Sequence, residues 1–263
     1  MSDSIKDIST CSEYHYNELI KEYIDMIEKR DNLLLKKQTY LDAKHICMSY
    51  DLMIDEMKLK IKIKKLKIEK NMIKSSIHSN KRLNKEAINE IIKREITPLE
   101  NQIIAMKELL NDAREYVISY EKNKNLRKEI SSIYKKMIYN LSPTFNEMTK
   151  NKQKLWTKTE IAYIYNDINK LKMIDNLIED KNRVHKIYNY EEIKSEISKF
   201  QSEINNMKEL FPLNIEKDID TLEYKVMYRS EIENRISFLN KEENVLEDEV
   251  DILKNKIRKM VVC

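Results

Sequence analysis

Along much of this chain apolar residues recur at alternating spacings of three and four, the pattern of one packed face on an α-helix. Ile96, Leu99, Ile103, Met106, Leu110, Ala113, Val117 and Tyr120 form one such seam, and Tyr190, Ile193, Ile197, Phe200, Ile204, Met207 and Phe211 form another. Toward the C-terminus Ile232, Leu239, Leu246, Leu253 and Met260 fall at strict sevens. Ile236, Val250 and Ile257 hold the companion position, and Glu243 is its one polar interruption. Sustained heptads predict helix-on-helix packing through these seams, as in coiled coils. Upstream, Ile215, Ile219, Leu222 and Val226 run in another frame, so a phase change is expected between Val226 and Ile232.

The first helical region is less regular. Tyr16, Ile20, Tyr23, Ile27, Leu34 and Leu41 define a seam broken by Arg30 and Lys37, and Leu59, Ile63, Leu66, Ile73 and Ile77 define a second. A helix of about 60 residues would be about 90 Å long, longer than a compact domain. At the start of the second seam, residues 58–64 (KLKIKIK) alternate with the period of a strand. Helical flanks on both sides favour a helix there too.

Start and stop signals divide the chain. Thr97-Pro98-Leu99-Glu100 reads as an N-cap, a first-turn Pro and a capping-box Glu. Thr10 with Glu13, Thr157 with Glu160 and Asn189 with Glu192 repeat the spacing, and Ser142-Pro143 supplies another cap followed by Pro. Phe211-Pro212 and the polar run 75–80 read as breaks. The expected organisation is a disordered stretch at 1–9, a long helix at 10–78 with a basic C-terminal half, and central coiled-coil helices at 80–141. A region with an aromatic cluster at 142–188, a coiled-coil helix at 189–211 and an acidic heptad helix at 213–263 follow. The fold class is all-α, either an elongated coiled coil or an antiparallel helical hairpin bundle, without strands.

Composition narrows the function. The 263 residues include no Gly, which argues against nucleotide-binding loops, nucleophile elbows and tight β-turns. The chain is also rich in Ile, Lys, Asn and Tyr, a bias that AT-rich coding produces, and this lowers the weight of the missing Gly. Cys11, Cys47 and Cys263 are odd in number and far apart, which predicts reduced thiols in a cytoplasmic or nuclear protein. The polar N-terminus reads as no secretory signal, and no window is apolar enough to span a membrane. His15, His45, His78 and His185 stand singly, so neither a metal site nor another cofactor is expected.

Charge is polarised. Residues 56–100 carry 13 Lys or Arg against six Glu, whereas residues 190–251 carry 17 acidic against eight basic residues. The plainest reading is that the two regions neutralise each other side by side. A second is that Lys58, Lys60, Lys62, Lys64, Lys65 and Lys67 meet an anionic membrane surface. Nucleic-acid base readout is not expected, because Arg is scarce and no aromatic platform interleaves. Tyr134, Tyr139, Trp156, Tyr163 and Tyr165 surround the break at Pro143. They would fill a hairpin corner, or Tyr139, Trp156 and Tyr163 would dock a partner.

The sequence therefore predicts a non-enzymatic coiled-coil scaffold subunit, a spacer or tether, without small-molecule substrate. Its interface would be Ile96, Leu99, Ile103, Met106, Leu110, Val117, Ile197, Phe200, Ile204, Ile232, Leu239, Leu246, Leu253, Ile257 and Met260. Its partners would be copies of itself or other coiled-coil subunits. The alternative is a helical bundle that binds acidic membrane through residues 58–74.

Overall fold

In the computed structural model residues 2–79, 83–178 and 189–261 are described, with side chains described within 14–259. The protein is all-α: 89% of the described residues are helical, and no strand occurs among them. Helix α1 (Ser2–Asn32) passes through a π-helical turn (Leu33–Lys37) into α2 (Gln38–His78). Helix α3 (Lys85–Lys122) continues through a 3-10 turn (Asn123–Leu126) into α4 (Arg127–Leu141). Shorter helices α5 (Lys150–Ile164), α6 (Ile168–Leu177) and α7 (Tyr190–Lys208) follow, and a 3-10 turn (Leu213–Ile215) precedes α8 (Leu222–Val261). The chain folds as two compact units: Met1–Asp42 with Tyr116–Glu216, and Ala43–Glu115 with Lys217–Cys263.

In the first unit α1 packs on α4 and α7, and α4 packs on α5 and α6. Leu19, Tyr23 and Ile27 of α1 meet Ile130, Tyr134, Met137 and Ile138 of α4, and Phe145, Tyr163, Leu171 and Ile193 close the core. Caps end the short helices where the sequence supplies them. Thr149 accepts from the Lys152 amide at 3.3 Å, and Asp167 accepts from the Lys170 amide at 3.0 Å. Asn189 and Glu192 form a reciprocal capping box at the start of α7.

The second unit is organised around α2. Ile54 and Ile61 pack with Ile96, Ile103 and Leu110 of α3 in one core. Lys64 and Lys65 reach Glu95 and Glu100 at 3.1 and 3.4 Å, while Cys47, far upstream on α2, feels the charge of Arg114. The two helices are therefore antiparallel. Helix α8 runs the other way: Asp51 pairs with Arg229, Glu56 with Arg235, Lys62 with Glu243 and Lys70 with Glu249, so residue numbers rise together and α2 and α8 are parallel.

This arrangement explains the strand-like alternation at 58–64. Ile61 belongs to the core shared with α3. Ile63 lies about 160° further round the helix, on the side from which Glu56 and Lys70 reach α8, and it is buried as well. A helix covered on two opposite sides has no single apolar stripe, and its local period reads as two.

Several local expectations are corrected. No helix starts at Thr97: α3 runs through Pro98, and the Thr97 hydroxyl donates to the Lys93 carbonyl at 2.7 Å instead of capping. Ile96 and Ile103 are buried on both sides of Pro98, and this packing outweighs the hydrogen bond that Pro removes. Thr10 and Thr157 likewise lie inside α1 and α5. Ser142 closes α4, with its amide donating to the Ile138 carbonyl, rather than opening a helix. Helix α1 starts at Ser2. Leu34 is exposed, because the π-helical turn inserts a residue and rotates Lys36 inward in its place.

Candidate interaction surface and a buried polar cluster

Helix α8 positions the first candidate site. Its interior face follows the heptads: Ile232, Glu243, Leu246 and Val250 are buried, and Ile236, Leu239, Leu253 and Ile257 are half-buried. The side chain of Met260 lies outside the described residues. On α3, Ile96, Ile103 and Leu110 are buried and Leu99, Met106 and Val117 half-buried. On α7, Ile204 is buried and Ile197 and Phe200 half-buried. All of these seams face the interior of the chain's own two units.

A second apolar row on α8 does not. Phe238, Val245 and Ile252 are 69%, 60% and 67% exposed. They fall seven residues apart, on a stripe roughly 130° around the helix from the interior seam. Phe238 also forms the lip of an open groove with Leu239, Asn234, Arg235, Glu56 and Lys60. The stripe was present in the sequence as a third set of sevens, but the richer seam beside it held both companion positions and drew the assignment.

The basic stretch of α2 is laid against carboxylates. Lys58 pairs with Asp55, Lys60 with Glu56, Lys62 with Glu243, Lys64 with Glu95, Lys65 with Glu100 and Lys67 with Glu242, at 2.6 to 3.4 Å. Most of these lysines are half-exposed, so each pair contributes little to stability. Together they neutralise the polarised charge within the second unit. Glu56 is the best-held member. Burial pushes its carboxyl up, but hydrogen bonds from Arg235 and Lys60, with their charges, outweigh this and hold it below its ordinary value.

The third site is a buried polar cluster in the first unit, centred on the π-helical turn. Lys36, 4% exposed, donates to the Asn166 side-chain oxygen at 2.8 Å, and its Nζ lies 3.5 Å from the centroid of the Tyr163 ring. The Tyr163 hydroxyl donates to Glu28 at 2.8 Å, and the Tyr134 hydroxyl donates to Asp31 at 2.9 Å. The two phenol rings stack with centroids 3.7 Å apart. Arg30 donates to Asp31 through Nε and Nη2 at 3.0 and 2.8 Å. Asn166 reaches Lys36 from a left-handed backbone position, φ 54°, which Asn tolerates better than most residues.

Burial pushes the Lys36 ammonium down to about 7, against the attraction of Glu28 and with help from Arg127. Burial raises both phenols well above their ordinary range, and the carboxylates they bond add to the rise. Glu160 is raised by burial and by the charge of Asp31. Lys36 is chemically capable of acting as a neutral amine near neutral pH. Its partners nevertheless cover it, and the cluster reads as a polar core whose members bond one another.

Of the aromatic cluster, Tyr134, Trp156 and Tyr163 lie in the core of the first unit. Tyr163 is fully buried and Trp156 is 9% exposed, stacked on Tyr134 at 5.8 Å, so neither presents a docking face. Tyr139 is half-buried and carries a tilted contact with Phe145 at 5.6 Å. Sequence reasoning missed the charged residues below these rings. The signal was the broken seam at Arg30 and Lys37, which marked the π-helical turn. His185 and Cys263 lie outside the described residues, as does the side chain of Cys11. Among the described residues no group of three or more His, Cys, Asp or Glu is arranged to hold a metal ion, and no helix is long and apolar enough to cross a membrane.

No family model matches the chain, and no curated protein or solved structure was found to be similar to it.

Proposed function

We propose that this chain is a non-enzymatic structural subunit that assembles with other protein chains by helix packing, as a spacer or tether in a larger intracellular complex. One observation carries the reading: Phe238, Val245 and Ile252 form a heptad row left open to solvent on a helix whose opposite side is already packed. Scattered exposed apolar residues need no explanation, but a row in helical register matches the surface of a facing helix. The ion-paired α2 supports the same reading, because a helix held from two sides gives α8 a rigid backing.

Membrane binding through residues 58–74 draws less support. Lys58, Lys60, Lys62, Lys64, Lys65 and Lys67 each lie within ion-pair distance of a carboxylate of the same chain.

The test is the native size of the full chain, tagged and expressed at its natural level, beside the double variant Phe238→Asp with Ile252→Asp. Both positions are exposed, so the variant keeps its circular dichroism spectrum and melting temperature. The reading expects the wild type in a complex larger than one chain and the variant shifted to a smaller size. A wild type that elutes as a single chain, or a variant that keeps the wild-type size, overturns it.

A further inference from the structure

The ion pairs that join α2 to α8 end on a last rung, Glu69 with Lys254 at 2.9 Å. There the C-terminal end of α2, the N-terminal end of α3 and the C-terminal end of α8 come together around a cavity of about 790 Å³. That lies within the roughly 300 to 1,000 Å³ of small-molecule sites. Its described wall has an apolar side, formed by the half-buried Leu83 and Ile257 and the buried Ile88. The other side is charged. Lys85 and Arg258 line it from exposed positions, and neither is paired with a carboxylate among the described residues. Glu69, the one carboxylate of the described wall, is already matched by Lys254, so the wall carries two positive charges in excess. Glu86, next to Lys85 on α3, is exposed and does not line the cavity.

Helix ends do not account for both cations. Arg258, in the last turn of α8, complements the negative end of that helix. Lys85 opens α3, where the helix end is itself positive and a cation is disfavoured. Two cations that share one cavity also repel each other, and an anion between them removes both costs. Phosphate fits the count, since a phosphate monoester carries close to two negative charges near neutral pH. Arg offers it a bidentate fork and Lys adds a point charge. Free phosphate, however, would leave the apolar side wet.

We infer that this cavity binds one molecule of a soluble alkyl phosphate, its head between Lys85 and Arg258 and its chain along Leu83, Ile88 and Ile257. Phe238, Val245 and Ile252 do not line the cavity, so the test is independent of the assembly reading.

Isothermal titration of the full chain with octyl phosphate is expected to show one molecule bound per chain, with a dissociation constant on the order of 100 µM. Inorganic phosphate is expected to bind at least about tenfold more weakly, for want of the chain. Octyltrimethylammonium, with the same chain and the opposite charge, is expected not to bind. Lys85→Gln with Arg258→Gln changes two exposed positions. It is expected to keep the wild-type melting temperature and to weaken octyl phosphate by about tenfold or more. Lys58→Gln with Lys67→Gln removes as many charges from paired positions of the same unit and is expected to leave binding unchanged. No binding of octyl phosphate, equal binding of inorganic phosphate or of octyltrimethylammonium, or equal losses in the two double variants overturns the inference. Vesicles of phosphatidylcholine doped with phosphatidic acid test a membrane as the source of the same head group. Wild type is expected to stay in solution; sedimentation with these vesicles that Lys85→Gln with Arg258→Gln abolishes would give the site to a lipid and overturn the soluble ligand.

Discussion

Lys36 is the residue whose surroundings depart furthest from what its type prefers. In the unfolded chain its ammonium titrates near 10.5, but in the fold burial brings it down to about 7. Between those values the unfolded chain binds more protons than the folded one, so stability rises with pH across that window. At and below about pH 7 the full cost of burying the group remains. Lys36→Met removes the titration. The expected result is that wild type gains melting temperature relative to Lys36→Met as pH is raised from 7 toward 10, read by paired thermal melts; parallel curves would mean that Lys36 titrates normally. Tyr163→Phe removes the hydroxyl that satisfies the buried Glu28. Urea titration is expected to show a loss of roughly 1 to 3 kcal/mol, the cost of a buried acceptor left without its donor.

At the scale of elements, α3 and α8 contrast in what they bury. The core that α3 shares with α2 is aliphatic, with Ile103 buried among Ile54, Ile61 and Ile96. Ile103→Ala is expected to cost about 2 to 5 kcal/mol by chemical denaturation, through lost transfer energy and the cavity left behind. The interior seam of α8 instead holds Glu243, buried and paired with an exposed Lys62 at 3.2 Å. Glu243→Leu continues the seam and leaves Lys62 in water. Its expected effect is neutral to about 2 kcal/mol stabilising, seen as a raised melting temperature; a lower one would show that the ion pair outweighs apolar packing there.

These elements also mark how far the sequence could be read. The eight positions from Ile96 to Tyr120 are all buried or half-buried on one face of α3, because period alone decides which side of a long helix turns inward. Boundaries were less legible. The signals at Thr97-Pro98 and Thr157 are short-range, and packing contacts made far along the chain overrode them. The breaks at Asn189 and Pro212 stood where no seam crossed. Of the candidate surface, the apolar row was in the sequence, but its exposure was not. Only the pairing of α8 with α2 shows which of two neighbouring heptad sets is left outside. The polar cluster at Lys36 was least legible, since it depends on a π-helical turn that joins groups more than 100 residues apart.

For the molecule as a whole, polarised charge in the sequence becomes a ladder of ion pairs within the second unit. Changing Lys58, Lys60, Lys62 and Lys64 together to Gln is therefore expected to lower stability only slightly, since exposed pairs contribute about 0 to 1 kcal/mol each. Neither wild type nor this variant is expected to sediment with acidic liposomes at low salt, and sedimentation of the wild type alone would restore the membrane reading. The account's central claim is that the chain works by presenting the outer face of α8 to another protein. Its most direct measurement is photo-cross-linking in cells, with a photoreactive residue placed at Val245 or, as a control, at the exposed polar Glu233 of the same helix. Light-dependent protein adducts from position 245 and none from 233 are predicted. No adduct from 245, or equal yields from both positions, would contradict the claim.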